Sequence, residues 1–125
     1  TYIYTTASPP ALAEATRASL RIIQRDDWRR EQLQSHIHQF RTGAAELGLE
    51  LMNSMTPIQP IIIGDSQTAV SISKQLFDQG LLSTAIRPPT VPQGTARLRI
   101  TLTATHTKQH IDQLIVALSQ ITDIA

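Results

Sequence analysis

Residues 87–103 read Arg-Pro-Pro-Thr-Val-Pro-Gln-Gly-Thr-Ala-Arg-Leu-Arg-Ile-Thr-Leu-Thr. Over the second half of this stretch, Ala96, Leu98, Ile100 and Leu102 alternate with Arg97, Arg99, Thr101 and Thr103, the period of two that sends successive side chains to opposite faces of a strand. One face of that strand belongs to a core, and the other is cationic and hydroxylic. The first half cannot be regular structure, because Pro88, Pro89 and Pro92 fix backbone angles and remove donors while Gly94 admits a turn. The pattern predicts a sheet covered on one face, entered through a stiff proline loop.

The flanking segments supply the cover. Ile58 to Ile63 is a short β-branched run bounded by Pro57 and Gly64, which reads as a strand; Pro60 within it implies a sheet edge. Ser66 is placed to cap a following helix whose inward face is Ala69, Ile72, Ser73, Leu76 and Phe77, closed by Gln79-Gly80. Leu81 to Ile86 reads as another strand, and Thr107 caps a last helix with Ile111, Leu114, Ile115 and Leu118 inside. Earlier, Pro9 opens a helical stretch with Leu12, Ala15, Ser19, Ile22 and Ile23 at helical spacing. Past a charged bend at Arg25 to Glu31, Leu33, Ile37, Phe40, Ala44 and Leu47 form the apolar stripe of a second helix that stops at Gly48. The expected fold class is α+β, with helices packed on one face of a small, largely antiparallel sheet. Residues 1–48 form a helical lead-in and 49–125 a small α+β domain.

Composition narrows the function. The chain has 125 residues, 41% of them hydrophobic and 17% charged, enough for one core that buries about two-thirds of the unfolded chain's surface. Eleven basic against ten acidic residues leave a net charge of +1, too small a field to attract nucleic acid or an anionic membrane. Cysteine is absent, which excludes disulfides and thiolate sites, and no apolar run approaches the ~20 residues of a membrane helix. A cytoplasmic setting is expected. Thr1 follows no methionine, and Tyr2-Ile3-Tyr4 opens inside an apolar stretch, so the chain is expected to be a piece of a longer protein.

Chemistry-bearing residues are few. Arg97 and Arg99 share the outer strand face, and a guanidinium fork matches a carboxylate or phosphate in bidentate fashion; a solvated sheet face explains the spacing equally. His106 and His110 stand four apart without a carboxylate or cysteine to complete a metal set. His36 and His38 read as surface residues of a helix, and the Arg25 to Glu31 run with Trp28 as a solvated bend. No Gly-rich phosphate loop, Gly-x-Ser-x-Gly elbow or paired-carboxylate motif is present.

Ala85 to Thr107 closely resembles the carboxy-terminal signature of the α-oxoamine synthases, a family of fold-type I pyridoxal-phosphate enzymes. Tyr2-Ile3-Tyr4-Thr5-Thr6-Ala7-Ser8-Pro9-Pro10 resembles that family's tyrosine- and hydroxyl-rich segment, and Ile58-Gln59-Pro60-Ile61-Ile62-Ile63-Gly64-Asp65 its later strand. The Ile-Arg-Pro-Pro-Thr-Val-Pro version points to the branch that condenses L-alanine with a pimeloyl thioester, with decarboxylation, in biotin synthesis. The 5-aminolevulinate synthase and 2-amino-3-ketobutyrate ligase branches are the alternatives within the family, and a free-standing α+β ligand-binding module is the alternative outside it. The resemblance implies a homodimer, pyridoxal phosphate as cofactor, and a Schiff-base lysine in a large domain upstream. Lys74 and Lys108 are the lysines present, and neither has that context, so no catalytic residue and no activity are expected of this piece alone. By the same resemblance Arg99 binds the substrate carboxylate, Thr90 contacts substrate, and Thr5 and Thr6 reach the cofactor phosphate of the other subunit. Arg87 lies near the site with no role assigned.

Overall fold

A computed structural model describes residues 6–121. Its elements are α1 Pro10–Arg25, α2 Trp28–Glu46, β1 Ile58–Gly64, α3 Ser66–Asp78, β2 Thr84–Ile86, β3 Ala96–Thr101 and α4 Lys108–Ser119. They divide into two compact units, the first ending at Glu31 and the second beginning at Gln32.

In the first unit, Pro10 occupies the opening turn of α1, where its missing N–H has no intrahelical partner to lose. Leu12, Leu20 and Ile23 are each more than half exposed. The bend after α1 is organised by Asp26, whose carboxylate accepts from Arg25 Nε at 2.7 Å and Arg29 Nε at 3.0 Å. These guanidinium groups, Arg25 first, hold the Asp26 carboxyl below the usual carboxylate range. Arg29 also sits 4.6 Å from the Trp28 ring centre.

In the second unit the sheet runs β1-β3-β2, with both neighbours antiparallel to the central β3. The alternation read from sequence sets its faces. Leu98, opposite Ile61 and Ala85, and Ile100, opposite Gln59, point inward. There they join Ile37, Phe40 and Ala44 of α2, Ile72 and Leu76 of α3, and Ile111, Leu114 and Leu118 of α4 in one core. The fold class is therefore α+β with helices on one face of an antiparallel sheet. β1 is an edge strand, as Pro60 requires: Met52 N–H donates to Pro60 O at 3.1 Å and Ile62 N–H to Glu50 O at 2.8 Å. Even-numbered residues of β1 thus turn their backbone groups away from β3, and the donor that proline lacks falls on the outer side. Gln59, fully buried at the end of this strand, is satisfied by Arg41 Nη1 at 2.7 Å and by the carbonyls of Ser54 and Thr56.

Helix ends and faces depart from expectation in three places. The cap of α3 is Asp65, not Ser66: its carboxylate accepts Thr68 N–H at 2.8 Å and Thr68 Oγ1 at 2.9 Å. Phe77, expected inside, is 64% exposed, while Leu76 beside it is fully buried. The strand expected from Leu81 begins only at Thr84, because Leu81 N–H donates back to Leu76 O and Gly80 N–H to Phe77 O, closing the helix with Gly80 at φ +80°. Thr107 does cap α4, within a capping box completed by His110. α2 and α4 meet at Gly43, where a Cβ would lie 2.5 Å from Ile115 Cδ1, so only glycine allows this approach without displacing that side chain.

Phe40→Ala, which empties a fully buried site, is expected to lower the unfolding free energy by about 3–5 kcal/mol. Phe77→Ala should stay within about 0.5 kcal/mol of the parent. Urea melts of the two variants measure the difference.

Candidate functional site

The outer face of the sheet is built from β1 residues Ile58, Pro60 and Ile62, β3 residues Arg97, Arg99 and Thr101, and β2 residues Thr84 and Ile86, all exposed or half-buried. Registration places Arg99 between Pro60 and Thr84, and Arg97 between Ile62 and Ile86. The two cations are used differently. Arg97 donates from Nε to Thr95 O at 3.0 Å and from Nη2 to Thr95 Oγ1 at 3.2 Å, and its Nη1 lies 2.9 Å from the Met52 sulfur. Arg99 is exposed and has no hydrogen-bond or ion-pair partner among the described residues. Its fork is open to a carboxylate, flanked by a proline and a threonine that offer no competing acid.

Thr90 lies exposed in the connection from β2 to β3. Its N–H donates to Arg87 O at 3.1 Å, making a tight turn in which the Pro88-Pro89 bond is cis. Thr95 closes the far end of the loop, donating from N–H and Oγ1 to Pro92 O at 3.2 and 2.7 Å. Arg99 and Thr90 therefore belong to one continuous strand-and-loop feature of the second unit. Thr6 is exposed in the first unit, and Thr5 lies outside the described residues. Lys74 on α3 and Lys108 at the start of α4 are both exposed.

Sequence reasoning passed over three features. A cleft of about 680 Å³ opens where Leu81–Ser83 diverges from the end of β3, floored by Ile111 and Leu114 and bordered by His106 and His110; no residue pattern announces a gap beside a strand. His36 is not a surface residue but is buried, its Nε2 donating to His106 O at 2.8 Å, a partner 70 positions away that helical periodicity cannot reveal. The hold of Arg97 on Thr95 is the third, and its only sequence signal is the two-residue spacing along the strand. His106 accepts Thr103 N–H at Nδ1, 3.2 Å away. Burial, then repulsion from His110 and His36, pushes its pKa below the ordinary histidine value. Among the described residues no three of His, Cys, Asp or Glu are grouped to hold a metal ion, and no helix is long and apolar enough to cross a membrane.

Comparison with known proteins adds to this geometry. A model of the aminotransferase class I and II family matches residues 1–118. An 8-amino-7-oxononanoate synthase of Thioalkalivibrio sulfidiphilus is 58% identical over 120 residues, covering 96% of this chain and 31% of the relative. One of Marinobacter nauticus is 60% identical over 120 residues, covering 96% and 30%. Among solved structures, an 8-amino-7-oxononanoate synthase from Francisella tularensis superposes with a TM-score of 0.81 at 28% identity, covering 94% of this chain and 34% of that one. A serine palmitoyltransferase from S. paucimobilis with bound PLP-myriocin gives 0.82 at 26% identity, covering 93% and 30%. The chain thus spans about a third of the length of the relatives it matches.

The His106 environment has a pH consequence. A histidine whose folded pKa is depressed binds fewer protons folded than unfolded, so its contribution is intact above about 6.5 and is lost as pH falls toward the folded value. Thermal melts at pH 7.5 and 5.5 should show the protein less stable at the lower pH. His106→Asn, which keeps an acceptor for Thr103 N–H without titrating, should reduce that difference.

Proposed function

Because the chain belongs to the aminotransferase class I and II family, we propose that it is the carboxy-terminal part of an 8-amino-7-oxononanoate synthase. The complete enzyme condenses L-alanine with a pimeloyl thioester, releasing carbon dioxide and the thiol carrier, as a cytoplasmic homodimer in biotin synthesis. The observation that carries this reading is the unpaired Arg99 fork on the open sheet face, on the same strand-and-loop feature as Thr90. The 54–60% identity of relatives bearing that enzyme's name supports the choice of branch.

The roles follow from the donors available. Arg99 donates two parallel N–H groups to the amino acid's carboxylate, charge-assisted bonds that fix its direction as well as its position. With the carboxylate held, the directions of the bonds at Cα are fixed relative to Arg99's strand, so the protein would set which of them is broken when a cofactor is bound. Thr90 offers a hydroxyl from the loop, able to donate or accept toward substrate. The donor set fits pyridoxal phosphate as far as it extends, since Thr6 presents an exposed hydroxyl suited to a phosphate and Thr5 precedes it. When bound, that cofactor supplies the electron sink for the amino acid's Cα. Lys74 and Lys108 are exposed on helices of the second unit, and neither has the sequence context of the family's attachment lysine, which this reading assigns to the rest of the enzyme. The chain alone is inactive in this reading.

The test uses the full-length protein loaded with pyridoxal phosphate. Alanine-dependent thiol release from pimeloyl-coenzyme A is expected, and its absence in an intact, loaded enzyme overturns the proposal. Arg99→Ala should weaken alanine binding by about 10–150-fold, the worth of a sheltered charge-assisted pair. Arg97→Ala should weaken it far less; equal losses would mean that the carboxylate partner is misassigned.

A further inference from the structure

Arg97 and Arg99 share a strand and a face, yet only Arg97 is engaged. We propose that Arg97 is a positioning residue that clamps the exit of the proline loop and so sets where Thr90 stands. This rests on the reading of Thr90 as a substrate contact.

The geometry of the clamp is specific. The Nε and Nη2 edge of the guanidinium, the edge that would meet a carboxylate in bidentate fashion, closes instead on the carbonyl and hydroxyl of Thr95. Thr95 Oγ1 accepts from Arg97 and donates its own proton to Pro92 O at 2.7 Å, so the hold passes from Arg97 through Thr95 to Pro92. Pro92 is two residues from Thr90. On its far side the guanidinium spans β1 past Ile62, its register partner, to reach Met52 on the segment that borders the outer edge of that strand.

Among the described residues the loop has no other such tie. Its internal bonds are Thr90 N–H to Arg87 O and the two from Thr95 to Pro92 O. Among the described residues, the two bonds from Arg97 are the only hydrogen bonds joining residues 87–95 to the rest of the protein. Proline stiffens the loop locally, but its placement over the sheet depends on its ends. One end follows the β2 ladder through Ile86, and the other follows Arg97. A planar guanidinium with two donors on one residue holds both distance and orientation, which a single lysine ammonium cannot.

Amide hydrogen exchange and steady-state kinetics on the full-length, cofactor-loaded enzyme test the two halves of the proposal. Arg97→Ala is expected to speed exchange at the Thr90 and Thr95 amides by about tenfold, with Leu98 and Ile100 unchanged. The KM for alanine should rise about fivefold, the factor one neutral hydrogen bond supplies, with kcat held within about twofold. Arg97→Lys, which keeps one donor, should recover part of both effects. Thr95→Val should reproduce part of the loss by itself and add little to Arg97→Ala, as expected of partners in one contact. Unchanged exchange at Thr90 and Thr95 overturns the clamp. Faster exchange with an unmoved KM overturns its positioning role. A wild-type enzyme that releases no thiol with alanine sinks the functional reading, and exchange then still decides whether Arg97 holds the loop.

Discussion

The structure of the second unit depends on β3 being paired on both sides at one register. Ile61, Leu98 and Ala85 align across the sheet in a single row, with Pro60, Arg99 and Thr84 in the row beside it. Because side chains alternate with a period of two, a slip of one residue would turn Leu98 and Ile100 out to solvent and drive Arg97 and Arg99 into the core. Burying unpaired cations is far more costly than exposing leucine. The arginines therefore enforce the register as firmly as the apolar residues do, and the helices can cover only one face. The open face is a consequence of that constraint.

What the open face lacks matters as much as what it carries. The salt bridges among the described residues all fall between Glu14 and Arg30, in the first unit. No acid of the second unit is paired with Arg41, Arg97 or Arg99 among those residues. Arg41 is held instead by Gln59 Oε1 and the carbonyls of Met52 and Ser54, and Arg97 by Thr95. Neutral acceptors satisfy these two guanidinium groups and keep their positive charge uncompensated. Of the two arginines on the outer face of β3, Arg99 is the one whose hydrogen-bonding edge is free among the described residues.

Much of this architecture was legible in the residues because it rests on local periodicity. The alternation from Ala96 to Leu102 shows on inspection, as do the helical stripes through Phe40 and Leu114 and the edge position announced by Pro60. Features fixed by competition between neighbours were not legible. Asp65 and Ser66 are both competent caps, and the helix chose the one whose carboxylate reaches Thr68 from extended backbone. Leu81 has a strand-like composition, but its N–H is drawn into the turn that closes α3. His36 looks like surface until a carbonyl 70 positions along is folded against it. At the candidate site, sequence placed both arginines on one face but could not say which would be free, because each has a threonine two residues away, Thr95 for Arg97 and Thr101 for Arg99.

That distinction bears on how a site with two adjacent cations could hold one carboxylate in one pose. Two free guanidinium groups on alternate residues of a strand would stand roughly 7 Å apart and offer an anion two pockets of similar depth. Engaging Arg97 with Thr95 removes one of them without removing its charge, which still favours the anion's approach. Arg99 is left with its fork free among the described residues, on the middle strand of the sheet, where pairing on both sides restrains its backbone. Little backbone freedom remains to be lost when it binds, and that preorganisation is where a strand-borne arginine outperforms one on a loop. Arg97 bonds to Thr95 at the end of the loop that carries Thr90. In the function proposed above, one short segment would thus provide attraction, orientation and a second contact from residues only nine positions apart, Thr90 to Arg99.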